Sequence, residues 1–332
     1  MNDATETSPP PATTTLPDGR PPAAAATEAA PPAGVSTGDP AAPDIRLVVS
    51  DMDGTLLDGE GRVPDGFWPL LDELEAAGVL FAPASGRQYQ TLAAVFGERP
   101  GLVFIAENGT NVVRDGQTVA IEPLDRAAVA PVVEWVRRTA SGAVPLGAGG
   151  TTGGPDAGHA DVGLVVCGAR TAYIERTDDD FVAHVRRYYA ALEVVDDVVA
   201  ASADDPVLKL AVYDFGSAEG RTGPAMRALA AETGIGLDVV VSGEHWVDVM
   251  RSGINKGRAL AILQDSLGIG PDQTMAFGDY LNDAEMLDVA THSYAMANAH
   301  PSIVERARHT APANTEHGVL TTIRAVLPHL GT

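Results

Sequence analysis

Two carboxylates stand two residues apart in Asp51-Met52-Asp53-Gly54-Thr55, directly after the apolar run Ile45-Arg46-Leu47-Val48-Val49. Carboxylates this close are costly unless a cation lies between them. Mg²⁺, which prefers hard oxygen ligands, is the natural candidate. Gly54 lets the chain turn away sharply. Taken alone, the segment has a lesser reading as a polar strand end with an Asp-Gly turn. Ser85-Gly86-Arg87 offers a hydroxyl and a following backbone N–H, which can hold a phosphoryl oxygen. Asn255-Lys256-Gly257 opens an amphipathic stretch bearing Leu260, Leu263 and Leu267. A lysine at a helix N-terminus opposes the helix dipole, which favours an anion beside it. In Gly278-Asp279-Tyr280-Leu281-Asn282-Asp283, Asp279 is placed like Asp51, and Asp283 follows four residues on. That segment alone fits helix capping as well as a metal site. Together the four sites supply carboxylates, a hydroxyl and one lysine, a set suited to Mg²⁺-assisted phosphoryl transfer.

The elements that must position these groups follow from hydrophobic patterning. The β-branched run at 45–49 predicts a buried parallel strand. Helical spacing of Phe67, Leu70, Leu71 and Leu74 predicts a helix over 67–77, ended by Gly78. Strands at 79–82 and 102–105 alternate with a helix over 90–96, which predicts an α/β layer sheet. Residues 111–119 read as a hairpin closed by Asp115-Gly116. The middle of the chain predicts helices at 127–139, 179–190 and 222–232 and strands at 164–167, 207–213 and 237–242. Its stretch 141–163 holds eight glycines and reads as an expanded loop. Alternation returns with a helix at 257–267, a strand at 274–277, a short helix at 282–289, a strand at 293–296 and a helix at 318–327. The expected organisation is a Pro/Ala-rich disordered tail over 1–43, a core in two parts, 44–123 and 251–332, and an inserted α/β domain over 124–250. The tail contains ten of the 24 prolines and no aromatic residue, too little apolar surface to offset its ordering entropy.

Composition narrows the partners. The 332 residues include 22 Lys plus Arg against 45 Asp plus Glu, a formal charge of −23. That balance argues against nucleic acid or an anionic membrane as partner. The single cysteine, Cys167, rules out an internal disulfide and a thiolate metal site and suits a reducing compartment. It sits in an apolar run and is expected to be packed. No apolar run approaches the ~18 residues of a membrane span, and Met-Asn-Asp opens no signal peptide. A soluble cytoplasmic protein is expected, with a monomer as the default. Asp178-Asp179-Asp180, Asp196-Asp197 and Asp204-Asp205 read as solvated acidic loops. Gly147–Gly154 lacks the Gly-Lys-Ser/Thr ending of a phosphate-binding loop and reads as a flexible loop.

The chain resembles the haloacid dehalogenase superfamily phosphatases of the Cof type, subclass IIB. The markers stand in order over residues 45–328: DMDGT at 51–55, SGR at 85–87, ENGT at 107–110, NKG at 255–257, GDYLND at 278–283, AMANA at 295–299 and HGV at 317–319. The resemblance implies a Rossmann-like parallel-sheet core with a large inserted α/β cap. It implies Asp51 as nucleophile and Mg²⁺ ligand. Asp53 would be the acid/base and would bind Mg²⁺ through its carbonyl. Met52, Ser85, Gly86, Lys256 and Asn282 would hold the phosphoryl group. Asp279 would be a metal ligand, Asp283 would support the metal shell, and Asn108 and Arg87 would contact substrate. Ser85 stands where many relatives carry Thr. Tyr280 stands where a small residue is common, so it is expected to narrow the mouth of the site or stack on substrate. The function implied is Mg²⁺-dependent hydrolysis of small phosphorylated metabolites, such as sugar phosphates, through an aspartyl-phosphate. A phosphomutase and a non-enzymatic phosphoacceptor or regulatory binder are the alternatives. Asp53 discriminates against the last, since an acceptor that does not turn over needs no acid/base.

Overall fold

The computed structural model describes residues 43–97, 99, 101–142 and 160–330. The expected tail, through residue 42, and the glycine-rich loop over 143–159 lie outside the described residues. The first half contains β1 (Leu47–Ser50), α1 (Phe67–Ala76), β2 (Leu80–Pro83), α2 (Tyr89–Phe96), β3 (Val103–Ala106), β4 (Asn111–Arg114), β5 (Gln117–Ile121) and α3 (Val129–Ala140). Next come β6 (Val162–Gly168), β7 (Ala172–Ile174), α4 (Asp179–Val185), β8 (Leu192–Val194), α5 (Val198–Ala201), β9 (Val207–Asp214), α6 (Gly223–Thr233), β10 (Leu237–Val241) and β11 (Trp246–Arg251). The chain ends with α7 (Lys256–Leu267), β12 (Thr274–Gly278), α8 (Ala284–Asp288), β13 (His292–Met296), α9 (Pro301–Arg306), β14 (His309–Ala311) and α10 (Gly318–Val326).

One sheet has the order β14-β13-β12-β1-β2, with every pairing parallel. Successive side chains of a strand point to opposite faces. Val48 accordingly joins Phe67, Leu70, Leu92 and Ile323 on one side. Leu47 and Val49 join Leu260, Leu263 and Leu287 on the other. Burial on both faces explains why β1 reads as an unbroken apolar run. The predicted strand at 102–105 does not extend this sheet as a full member. It is β3, which meets the sheet only at the bridge Ala84–Ile105 and pairs antiparallel with β4. The β4–β5 hairpin is closed by Asp115 and Gly116 as expected, both at positive φ. Covering β3 with this neighbouring hairpin satisfies its backbone locally.

The middle of the chain forms a second sheet, β10-β11-β9-β6-β7-β8, mostly antiparallel. Helices α3 and α6 pack on one face through Val132, Val133 and Met226. Phe181 and Val185 of α4 cover the other. Gly163 falls within β6 rather than in a loop, and a Cβ there would overlap the Phe181 ring. Helix α4 stops at Val185, short of the predicted 190. Residues 188–191 instead spend their backbone groups on the start of α2. Tyr188 O accepts from Gln88 N at 3.1 Å and from Thr91 Oγ1 at 2.8 Å, and Ala191 N donates to Gln88 Oε1 at 2.9 Å.

The acidic runs are solvent-exposed as expected at Asp178, Asp179, Asp180, Asp196, Asp197 and Asp204, and only Asp205 departs from this. Asp178 and Asp197 accept backbone N–H groups that open α4 and α5. Asp205 is buried and accepts from Arg170 N at 3.2 Å. Cys167 is fully buried, as expected, with its thiol donating to Tyr189 Oη at 3.3 Å. Among the described residues no helix is long and apolar enough to cross a membrane.

Candidate active site

The carboxyl ends of β1, β2 and β12 deliver the three strand-end motifs to one place, as open parallel sheets do. Asp51 leaves β1 in an extended conformation, and Gly54, at φ +80°, turns the chain over. A Cβ on Gly54 would overlap Asp279 Oδ2, so glycine is needed there for both conformation and space. Thr55 Oγ1 donates to Asp279 Oδ1 at 2.8 Å.

Lys256 arrives from the start of α7, capped by Asn255 Oδ1 on Arg258 N at 2.7 Å. Its ammonium donates to Asp51 Oδ1 at 2.5 Å and to Asp283 Oδ1 at 2.6 Å. The anion expected beside this lysine is therefore a pair of carboxylates. The second oxygen of Asp283 accepts the backbone N–H groups of Asp279 at 2.9 Å and Tyr280 at 3.1 Å. Asp283 is thus committed on both oxygens and holds the others in place. Asp51 Oδ2 and Asp279 Oδ2 take no hydrogen bond from the described residues.

Oxygens of Asp51, Asp279 and Asp283 lie within 4.8 Å of one another. Three carboxylates against one lysine leave an excess of buried negative charge. Burial, with Asp283 and Asp279 beside it, pushes Asp51 well above the ordinary carboxylate range, and Lys256 only partly opposes this. Burial and Asp283 raise Asp279 to about 7. Burial pulls Lys256 down, but Asp283 and Asp51 outweigh it and hold the ammonium above its usual value. A hard divalent cation would relieve this imbalance, and the all-oxygen donor set fits Mg²⁺.

Met52 is buried behind the site. The Asp53 carboxylate is gripped by Arg87, with Nε to Oδ2 at 2.8 Å and Nη2 to Oδ1 at 2.5 Å. The same guanidinium lies over the Tyr188 ring at 5.1 Å and donates to Arg187 O at 3.2 Å. Arg87, expected as a substrate contact, lines the cavity and joins Asp53 to the six-stranded unit. Ser85 and Gly86 border the same cavity. Asn282 Nδ2 donates to Asn108 Oδ1 at 3.0 Å, and Asn108 Nδ2 donates to Asp248 Oδ2. Asn108 therefore links the loop after β12 to β11.

The cavity has a volume of about 410 Å³. Asp51, Asp53, Ser85, Gly86, Arg87, Asp279, Tyr280 and Asn282 line it on one side, and Tyr188, Lys209, Glu244, Trp246 and Asp248 on the other. Tyr280 lines the cavity, meets His300 edge-on at 5.9 Å and packs against the apolar cluster of the six-stranded sheet. Sequence reading missed Lys209, Asp248 and Glu107. Lys209 Nζ lies 2.9 Å from Glu107 Oε2 and 3.3 Å from Asp248 Oδ1, with all three buried. The signal was available. A lysine in Val207-Leu208-Lys209-Leu210 and an aspartate in Val247-Asp248-Val249 break otherwise apolar strands, and buried charges are paired.

Residues 48–323 match the family model described as haloacid dehalogenase-like hydrolase. The "5-amino-6-(5-phospho-D-ribitylamino)uracil phosphatase YbjI" of Escherichia coli is 31% identical over 288 residues, covering 86% of this chain and 97% of its own. A phosphoglycolate phosphatase of Halorubrum lacusprofundi is 32% identical over 249 residues, covering 75% of this chain and 83% of its own. A crystal structure from Streptococcus mutans superposes with a TM-score of 0.72 at 26% identity, covering 86% of this chain and 99% of that one.

Proposed function

The chain belongs to the haloacid dehalogenase-like hydrolases, in the Cof-type subclass with an inserted cap, and from that membership we propose that it is a Mg²⁺-dependent phosphatase of small phosphorylated metabolites. The observation that carries the reading is the tie from Lys256 to Asp51 and Asp283 on the floor of a cavity closed by a second sheet. We take 44–123 and 251–332 as the core and 124–250 as the cap.

Asp51 attacks phosphorus through the oxygen that Lys256 leaves free, forming an aspartyl-phosphate as the bond to the leaving oxygen breaks. Asp53 gives a proton to that leaving oxygen. It then takes one from the water that attacks phosphorus, and the Asp51–phosphorus bond breaks. Arg87 fixes the direction of the Asp53 carboxylate through both oxygens. Ser85 Oγ, the backbone N–H groups of Met52 and Gly86, Asn282 and Lys256 hold phosphoryl oxygens. Bound by Asp51, Asp279 and the Asp53 carbonyl, Mg²⁺ would supply positive charge against those oxygens. Asp283 keeps Asp279 and Lys256 in register. The cap wall of Tyr188, Trp246, Glu244 and Asp248 receives the leaving group, in a volume within the usual range for small ligands.

The relatives named above act on a ribitylamino-pyrimidine phosphate and on phosphoglycolate, so both belong in the first substrate panel beside hexose phosphates. The test is phosphate release from that panel and from p-nitrophenyl phosphate, in Mg²⁺ and in EDTA, with Asp51→Asn as the blank. Mg²⁺-dependent release that the blank lacks supports the reading. Equal release by the blank overturns it.

A further inference from the structure

The turn Ser85-Gly86-Arg87 is held through three consecutive carbonyls. Ser85 O accepts from the Asn108 backbone N–H at 2.9 Å, and Arg87 O from the Glu107 N–H at 3.0 Å. Both donors belong to the tight turn after β3, where Glu107 and Asn108 stand at φ +48° and +57°. The carbonyl between them is held from the other sheet: Lys209 Nζ, on β9, donates to Gly86 O at 2.6 Å. The same ammonium forms ion pairs with Glu107 Oε2 at 2.9 Å and Asp248 Oδ1 at 3.3 Å.

A peptide unit is planar, so Gly86 O and the Arg87 N–H point in opposite directions. Fixing the carbonyl on Lys209 also fixes that N–H, which donates to Ser85 Oγ at 3.1 Å. A hydroxyl oxygen that accepts there keeps its own proton for another partner.

We propose that Lys209 is a positioning residue: by seating the cap on Gly86 O it locks the Gly86–Arg87 peptide and so sets the Ser85 hydroxyl as a donor to the phosphoryl group. This deepens the phosphatase reading and rests on its placement of phosphate at Ser85. Cap closure then assembles part of the phosphate site as well as covering it. The bland rival is that Lys209 only neutralises Glu107.

The two separate in a mutant cycle. Lys209→Met and the uncharged pair Lys209→Met/Glu107→Gln are made with Ser85 intact and with Ser85→Ala. Each is measured for inorganic phosphate affinity by titration calorimetry in Mg²⁺, for kcat and KM on p-nitrophenyl phosphate, and for Tm. The pair should recover part of the Tm lost by Lys209→Met, since Asp248 stays buried without its cation, yet bind phosphate ~10-fold more weakly than wild type, the scale of one lost hydrogen bond to a charged group. With Ser85→Ala, replacing Lys209 should change phosphate affinity less than about twofold, because the path runs through that hydroxyl. Recovery of phosphate affinity along with Tm, or a full additive loss beside Ser85→Ala, overturns the proposal. If Lys209→Met alone does not fold, the uncharged pair carries the test. Non-additive phosphate binding without any ester hydrolysis would sink the phosphatase reading and leave this one standing. Hydrolysis with additive binding would do the reverse.

Discussion

Glu107 gives the sharpest test of the buried charge cluster. Its carboxyl is fully enclosed, and burial raises it from 4.5 to about 7, with Asp248 adding to the rise and Lys209 opposing it. The folded protein therefore holds this proton more tightly than the unfolded chain does. Stability from this group is fully present below pH ~4.5 and is lost as pH rises to about 7. At 1.36 kcal/mol per unit the gap amounts to roughly 3 kcal/mol. Glu107→Gln keeps the shape, cannot ionise, and leaves Lys209 facing one carboxylate, Asp248. The difference in stability between variant and wild type should rise by about 3 kcal/mol between pH 4.5 and 7 and stay flat above. A chain of this size melts with an entropy near ~0.6 kcal/mol per kelvin, so Tm should separate by about 5 °C. The assay is a series of thermal melts in EDTA from pH 4.5 to 8.5, compared pairwise so that other titrating groups cancel. A flat difference, or one that falls with pH, would refute the linkage.

Three further outcomes are expected. Mg²⁺ at about a hundredfold over its Kd should stabilise the protein by ~2.7 kcal/mol; Asp279→Asn should abolish that shift in melts with and without EDTA, and an undiminished shift would contradict the site. Lys256→Met leaves Asp51 and Asp283 unpaired and should cost ~3–5 kcal/mol in urea unfolding; it should also lower kcat by ~10²-fold or more, and near-normal turnover would remove Lys256 from the mechanism. Gly54→Ala faces both a left-handed φ of +80° and overlap with Asp279; it should destabilise by more than ~1 kcal/mol and weaken the Mg²⁺ response, and a silent variant would show that the turn relaxes freely.

Residues close in sequence and placed at strand ends were legible because local pattern alone reports them. Asp51, Ser85, Lys256 and Asp279 each sit one or two residues beyond an apolar run or at the head of an amphipathic helix. The parallel core was readable for the same reason. The second sheet was read less completely. β7 and β8 have three residues each, too short to show a period. β11 interrupts its apolar pattern with Asp248, and no strand is predicted there. That interruption is itself the functional signal. Lys209 and Asp248 are meaningful only as partners of Glu107, more than a hundred residues earlier, and no local window contains such a pairing. The contacts of Arg87 with Asp53 and Tyr188 were likewise invisible, because one partner follows β1 and the other follows α4, far apart in the sequence.

The enclosure of Cys167 turns an inert side chain into a clock. Burial raises the thiol well above its ordinary range, and only the thiolate reacts with disulfide reagents. With a single cysteine in the chain, any labelling reports one event: the opening of the sheet that contains β6. When reclosing outpaces labelling, the observed rate measures the free energy of that opening, as amide exchange does. Comparing this rate with and without Mg²⁺ and phosphate would show whether occupying the site stiffens the cap or only the core beneath it.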